Sequence, residues 1–168
     1  MLTYIALGSN LGDRAANIAF GLMTLKGLGS VTPSPLMLEC DDETGLGPPY
    51  LNTVAALETG QGAFADPRKL LEECLRIELA CGRDRSLPPN SPRPLDLDLI
   101  MAKDWEGAWI WEAPLDLTAI GMNLSLILPH PRAAQRPFVQ RPLKALLDAM
   151  ARGQRSEIKD QGLGRILP

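Results

Sequence analysis

Four prolines fall within residues 82–94, in the run Gly-Arg-Asp-Arg-Ser-Leu-Pro-Pro-Asn-Ser-Pro-Arg-Pro. Each fixes its own φ and withholds a backbone donor, so neither a helix nor a central strand can pass through. A loop is the only outcome. It carries Arg83, Arg85 and Arg93 and runs straight into residues 95–101, whose Leu-Asp-Leu-Asp-Leu-Ile-Met alternation is that of a strand.

Other elements arrange themselves around this loop and strand. Residues 2–7 alternate like a strand, and Gly8-Ser9-Asn10-Leu11-Gly12-Asp13 turns into a helix that ends near Gly27 to Gly29. Residues 31–38 read as one short strand and 40–49 as an acidic, irregular surface loop; 50–59 read as a further strand. Asp66-Pro67 opens a helix with Leu70, Leu71, Cys74, Leu75, Ile77, Glu78 and Cys81 at roughly helical spacing along its buried face. Residues 103–123, with Trp105, Trp109 and Trp111, are expected to be an irregular insertion; 126–131 form a strand end entering a turn, and 142–152 a final helix. Strands and helices mix without regular βαβ alternation. The expectation is an α+β sandwich with a mainly antiparallel sheet and helices packed on it, with a doubly wound fold as the alternative.

The chain has 168 residues, which suits a single domain spanning residues 1–168. No apolar run is long enough to span a bilayer and no signal peptide is evident, so a cytoplasmic protein without membrane contact is expected. Cys40, Cys74 and Cys81 match no zinc or disulfide pattern; the spacing of Cys74 and Cys81 is that of a helix core. A net charge of -3 gives no global attraction for nucleic acid, yet residues 129–144 hold Arg132, Arg136, Arg141 and Lys144 without an acid. Such a local segment suits a compact polyanion such as a nucleotide.

Chemistry concentrates at Asp96 and Asp98, because alternate strand residues share a face about 6.5 to 7 Å apart. Two carboxylates side by side repel, and one magnesium ion or a pair would neutralise them. A solvated strand face is the other reading. Arg83, Arg85 and Arg93 beside the carboxylates make sense if a polyphosphate bridges them, with the loop closing over it as a lid; each arginine alone reads as surface. His130, the only histidine, is either a structural hydrogen-bonding group or a phosphate contact. Tyr50 and Asn52 share one strand face. Asn52 has the paired donor and acceptor a flat heterocycle requires, and Phe138 can stack on such a ring; core and turn roles stay open for both. Glu78 is either exposed or in contact with the arginines. Gly8 and Gly12 fit a tight turn or a phosphate loop, although neither glycine-rich phosphate motif is complete.

Together these segments resemble the 6-hydroxymethyl-7,8-dihydropterin pyrophosphokinase family of folate biosynthesis. The matching blocks are Tyr4-Ile5-Ala6-Leu7-Gly8-Ser9-Asn10-Leu11-Gly12, Tyr50-Leu51-Asn52, Arg76-Ile77-Glu78 with Gly82-Arg83 and Arg85, and Pro92-Arg93 with Leu95-Asp96-Leu97-Asp98-Leu99-Ile100. They close with Leu128-Pro129-His130-Pro131-Arg132, Arg136, Phe138 and Pro142-Leu143, in family order. The resemblance implies a ferredoxin-like sandwich and transfer of the β,γ-diphosphate of ATP to the pterin hydroxymethyl oxygen, releasing AMP. It implies two Mg2+ ions on Asp96 and Asp98, and ATP and the pterin as partners. Arg83 and Arg93 would be the catalytic loop arginines. Glu78, Arg85, His130 and Arg136 would lie at ATP, and Tyr50, Asn52, Asp96 and Phe138 at the pterin. A monomer is expected.

The chain departs from the family at Glu39-Cys40-Asp41-Asp42, where a Pro-rich stretch is common, and at Asn90, where some members have an aromatic residue. Two other functions compete. A different Mg-nucleotide enzyme would use the same aspartates and arginines, whereas an RNA-binding sheet would need more aromatic residues and a less acidic chain.

Overall fold

A computed structural model describes residues 1–42, 45, 47–88 and 90–163, the last ten by their backbone alone. Glu43, Thr44 and Leu46 of the acidic loop and Pro89 of the proline-rich loop lie outside the described residues.

The central strand is β1 (Leu2–Ser9), in which Ile5 and Leu7 point to one face and Tyr4 and Ala6 to the other. It pairs antiparallel with β4 (Tyr50–Glu58) on one side and β5 (Asp96–Ala102) on the other. Beyond β4 lie β2 (Ser30–Pro33) and β3 (Leu38–Cys40), both antiparallel to it. The sheet order β2-β4-β1-β5, with helices after β1 and β4, is the strand–helix–strand–strand–helix–strand plan of the ferredoxin-like sandwich.

Each face has its own helices. α1 (Arg14–Leu25) and α2 (Pro67–Ala80) cover the side of Ile5, Leu7, Leu97 and Leu99, burying Leu25, Leu70, Cys74 and Ile77 there. α3 (Pro137–Leu163) covers the other, where Val139, Leu143 and Leu146 meet Val54, Ala56 and Ile100. Both short helices start as their sequences dictate. Asp13 accepts from Ala16 N–H at 3.0 Å, and Asp66 accepts from Arg68 N–H at 2.8 Å with Pro67 in the first turn.

Three expectations are corrected. Residues 31–38 are not one strand: Pro33 and Pro35 remove ladder donors, and Ser34 Oγ accepts from Leu36 N–H at 3.1 Å in a local turn between β2 and β3. Residues 103–123 are not irregular throughout. They contain β6 (Gly107–Glu112), which pairs antiparallel with β7 (Asn123–Leu128), and Trp109 and Trp111 lie opposite Leu126 and Leu124. The three tryptophans pack on the main core, and Trp111 Nε1 donates to the buried Glu72 at 3.0 Å. Lastly, α3 starts at Pro137 rather than Pro142. Proline is suited to a first turn, and Pro142 within the helix forfeits only one intrahelical bond.

Leu99 lies under α2 at 2% exposure, and truncating it leaves a cavity that the packed layers cannot close. Leu99→Ala is expected to cost about 2–5 kcal/mol. Urea denaturation should show the midpoint falling with an unchanged slope.

Candidate active site

The register of β5 decides where the two aspartates point. Leu97 and Leu99 take the α1/α2 face, so Asp96, Asp98 and Ile100 take the α3 face, where α3 covers Ile100 but leaves the aspartates open. Across the sheet, Gly8 stands between Asn52 and Asp96, and Ala6 between Val54 and Asp98. A Cβ on Gly8 would come within 3.1 Å of Asn52 Oδ1 and 3.5 Å of Tyr50 Cδ1. Glycine here therefore leaves a flat gap in the pocket floor, with an amide on one side and carboxylates on the other. The cavity above it measures about 380 Å³.

The proline-rich loop wraps the free edge of β5. Glu78, near the end of α2 and only 2% exposed, accepts from the edge amide of Leu97 at 2.8 Å and from Arg83 at 2.8 Å, and it also pairs with Arg85. Arg83 reaches Asp96 Oδ1 as well, and Arg93 donates to that same oxygen at 3.2 Å. The Arg93 guanidinium lies 5.9 Å from the centre of the Tyr50 ring. On the far side, Arg136 approaches Asp98 at 4.0 Å and sits 5.5 Å from the Phe138 ring centre.

Two carboxyls are pushed up by this crowding. Burial, and then the charge of Asp96, raise Glu78 to about 7 against the pull of Arg83 and Arg85. The same two causes raise Asp98 to about 6, although 44% of its side chain is open to the cavity, so the water it retains tempers the effect of burial. Burial, with Arg136 and Arg132 nearby, lowers the His130 imidazole below its usual value.

Most expected site residues converge. Tyr50, Asn52, Glu78, Arg83, Arg85, Arg93, Asp96, Asp98, Arg136 and Phe138 all line the cavity. Their meeting includes Glu78, which is buried among the arginines rather than exposed. His130 is not among the lining residues. It is half-buried, its backbone N–H donates to Ile100 O at 2.7 Å, and Nδ1 accepts from Arg132 N–H at 3.3 Å. Asn90 lines the cavity at φ 65°, as do Cys40, Asp41 and Asp42 from the altered loop. Arg132, one residue of the basic segment, also lines it without having been singled out for the site. Gly8, expected in a tight turn or phosphate loop, lies inside β1, and its place in the site depends on which side chains the neighbouring strands present.

Asp96 and Asp98 fit a divalent cation held jointly with a ligand. They share a face opening to the cavity, both arginine bonds to Asp96 fall on Oδ1, and Asp98 meets Arg136 loosely at 4.0 Å. Among the described residues no group of three or more His, Cys, Asp or Glu side chains forms a complete cation cage. Substrate oxygens and water would complete the shell.

Fold and site together define a small ferredoxin-like α+β protein with a carboxylate pair ringed by guanidiniums, a setting suited to a polyphosphate. The chain belongs to the 7,8-dihydro-6-hydroxymethylpterin-pyrophosphokinase (HPPK) family, whose model matches residues 4–148. It is 32% identical over 148 residues to the 2-amino-4-hydroxy-6-hydroxymethyldihydropteridine pyrophosphokinase of Methylorubrum extorquens, covering 83% of this chain and 78% of that protein. The Bacillus subtilis protein of the same name is 29% identical over 167 residues, covering 95% of this chain and 86% of its own. Folic acid synthesis protein fol1 of Schizosaccharomyces pombe is 30% identical over 152 residues, which are 86% of this chain but only 18% of that larger protein. No described helix is long and apolar enough to cross a membrane.

The raised carboxyls make ligand-free stability pH-dependent. Glu78 moves from about 4.5 up to about 7, and Asp98 from 3.8 to about 6, so the folded state holds protons that the unfolded chain releases. Their contribution is whole below the unfolded values and is lost as pH rises through the folded ones. Urea unfolding at pH 5 and pH 8 should show the decline, and Glu78→Gln should flatten it.

Proposed function

We infer that this chain transfers the β,γ-diphosphate of ATP to the hydroxymethyl oxygen of 6-hydroxymethyl-7,8-dihydropterin, releasing AMP, as a step of folate synthesis. The observation that carries the reading is the row Asn52, Gly8, Asp96 across three neighbouring strands. A flat ring lying over Gly8 has its recognition amide at one edge and its reactive oxygen at the carboxylates. Family membership supports the same substrates.

In this reading Asn52 hydrogen-bonds the pterin, and Tyr50 and Phe138 bound the ring. Asp96 would meet the substrate hydroxyl and, with Asp98, would hold the two Mg2+ ions. When bound, those ions neutralise charge on the phosphate oxygens. Arg83 and Arg93, now tied to Asp96, exchange part of that carboxylate for phosphate, while Arg85 and Glu78 hold the loop base. The Nε atoms of Arg85 and Arg93 are buried without a hydrogen-bond partner, so both guanidiniums have donor capacity in reserve. Arg136 and His130 approach the nucleotide from the α3 side. Asp98 is the candidate proton acceptor for the attacking hydroxyl. No protein nucleophile is needed, because alignment and charge neutralisation drive such a transfer. A monomer, as a single domain in the cytoplasm without nucleic acid, is sufficient for this chemistry.

Product identity tests the reading. With Mg-ATP and 6-hydroxymethyl-7,8-dihydropterin, AMP and the pterin diphosphate should appear in equal amounts; ADP or free pyrophosphate as the main product would overturn it. Asp96→Ala and Asp98→Ala should each lower turnover at least about a hundredfold with native circular dichroism. Near-normal turnover in either variant would remove the metal assignment.

A further inference from the structure

Asn10 is 2% exposed and sits at the end of β1, beyond the residues that line the cavity. Both polar atoms of its amide are nonetheless engaged. Oδ1 accepts from Arg93 N–H at 2.8 Å, and Nδ2 donates to Pro48 O at 3.2 Å. The backbone N–H of Asn10 donates to Arg93 O at 3.2 Å, so residues 10 and 93 grip each other in both directions.

The two ends of this clamp belong to different halves of the pocket. Arg93 reaches Asp96 at the phosphate side, and Pro48 leads through Pro49 into Tyr50 at the ring side. Pro48 and Pro49 have no N–H, so the backbone there can be anchored only through its carbonyls. Asn10 takes the first, and Arg14 takes the second at 2.7 Å while paired with Glu39. The circuit closes where the Arg93 guanidinium lies 5.9 Å from the Tyr50 ring centre.

We propose that Asn10 is a positioning residue that couples the two substrate sites, making occupancy of one tighten the other by fixing the arginine loop and the Pro48–Tyr50 segment to a common point. This rests on the reading that the pocket takes a nucleotide and a pterin. Only an amide satisfies both partners: a carboxylate keeps the bond from Arg93 N–H but faces Pro48 O with a second acceptor, and an aliphatic side chain loses both. Asn10→Asp therefore cuts one limb and Asn10→Leu cuts two.

The test measures the coupling factor by calorimetry. An ATP analogue with a methylene between its α- and β-phosphorus is titrated with Mg2+ into protein with and without 6-hydroxymethyl-7,8-dihydropterin, and then in the reverse order. Linkage requires the same factor both ways, typically about 5- to 150-fold for coupled sites. In Asn10→Asp and Asn10→Leu the factor should fall towards one, with each ligand's affinity for the otherwise empty protein changed less than about twofold and the fold retained. A factor unchanged in Asn10→Asp, or a loss of binary affinity that leaves the factor intact, would overturn the coupling role. If Asn10→Leu fails to fold, Asn10→Asp alone decides. Wild-type protein that binds neither ligand would sink the functional reading instead, and wild-type protein with a factor of one would sink only the coupling.

Discussion

The site hangs on one buried carboxylate. β5 is an edge strand, and its outward amide at Leu97 needs an acceptor, which Glu78 provides from the neighbouring helix. A lone carboxylate in that position would be costly, so its charge is answered by Arg83 and Arg85 from the loop that follows α2. The satisfied edge, the placed loop and the arginines delivered to Asp96 are consequences of the same group. An edge strand with amides open to a further strand is closed off by charge instead.

This arrangement also explains why the aspartates can stand so close to each other. Arg83 and Arg93 converge on Asp96, and Arg136 lies near Asp98. Without a ligand, the guanidiniums partly neutralise the carboxylates. With a polyphosphate present the same guanidiniums have a second acceptor to share. The guanidiniums that answer the carboxylates are therefore already in place for a second anion, which suits preorganised electrostatic catalysis.

Much of this was legible in the residues. The alternation of Leu95 to Leu99 named the strand and the face of Asp96 and Asp98, and the prolines placed the loop. The two-residue period likewise put Tyr50 with Asn52. What stayed hidden depended on partners distant in sequence. Residues 103–123 looked irregular because Gly107, Pro114 and Gly121 interrupt them, and the pairing of Trp109 with Leu126 and Trp111 with Leu124 emerges only when β6 meets β7. The start of α3 was missed since Pro142 reads as a beginning, although Pro137 fills that place. Helical spacing set Glu78 with the buried face, but its acceptor role could not be read there, because the amide it serves belongs to β5. Asn10 looked like turn chemistry, and nothing local reveals that its amide reaches both Pro48 and Arg93.

Gly8 defines the pocket by what it lacks. Every other position along that row of the sheet presents a side chain, and the slot exists because one does not. Its floor is thus backbone, while the side chains of Asn52 and Tyr50 stand beside it. Substitutions around the wall change the groups that border the slot without adding a side chain at its floor. Floor and wall are in this way separate parts of the pocket: Gly8 belongs to the sheet, whereas Asp41 and Asp42 reach the cavity from a loop outside it.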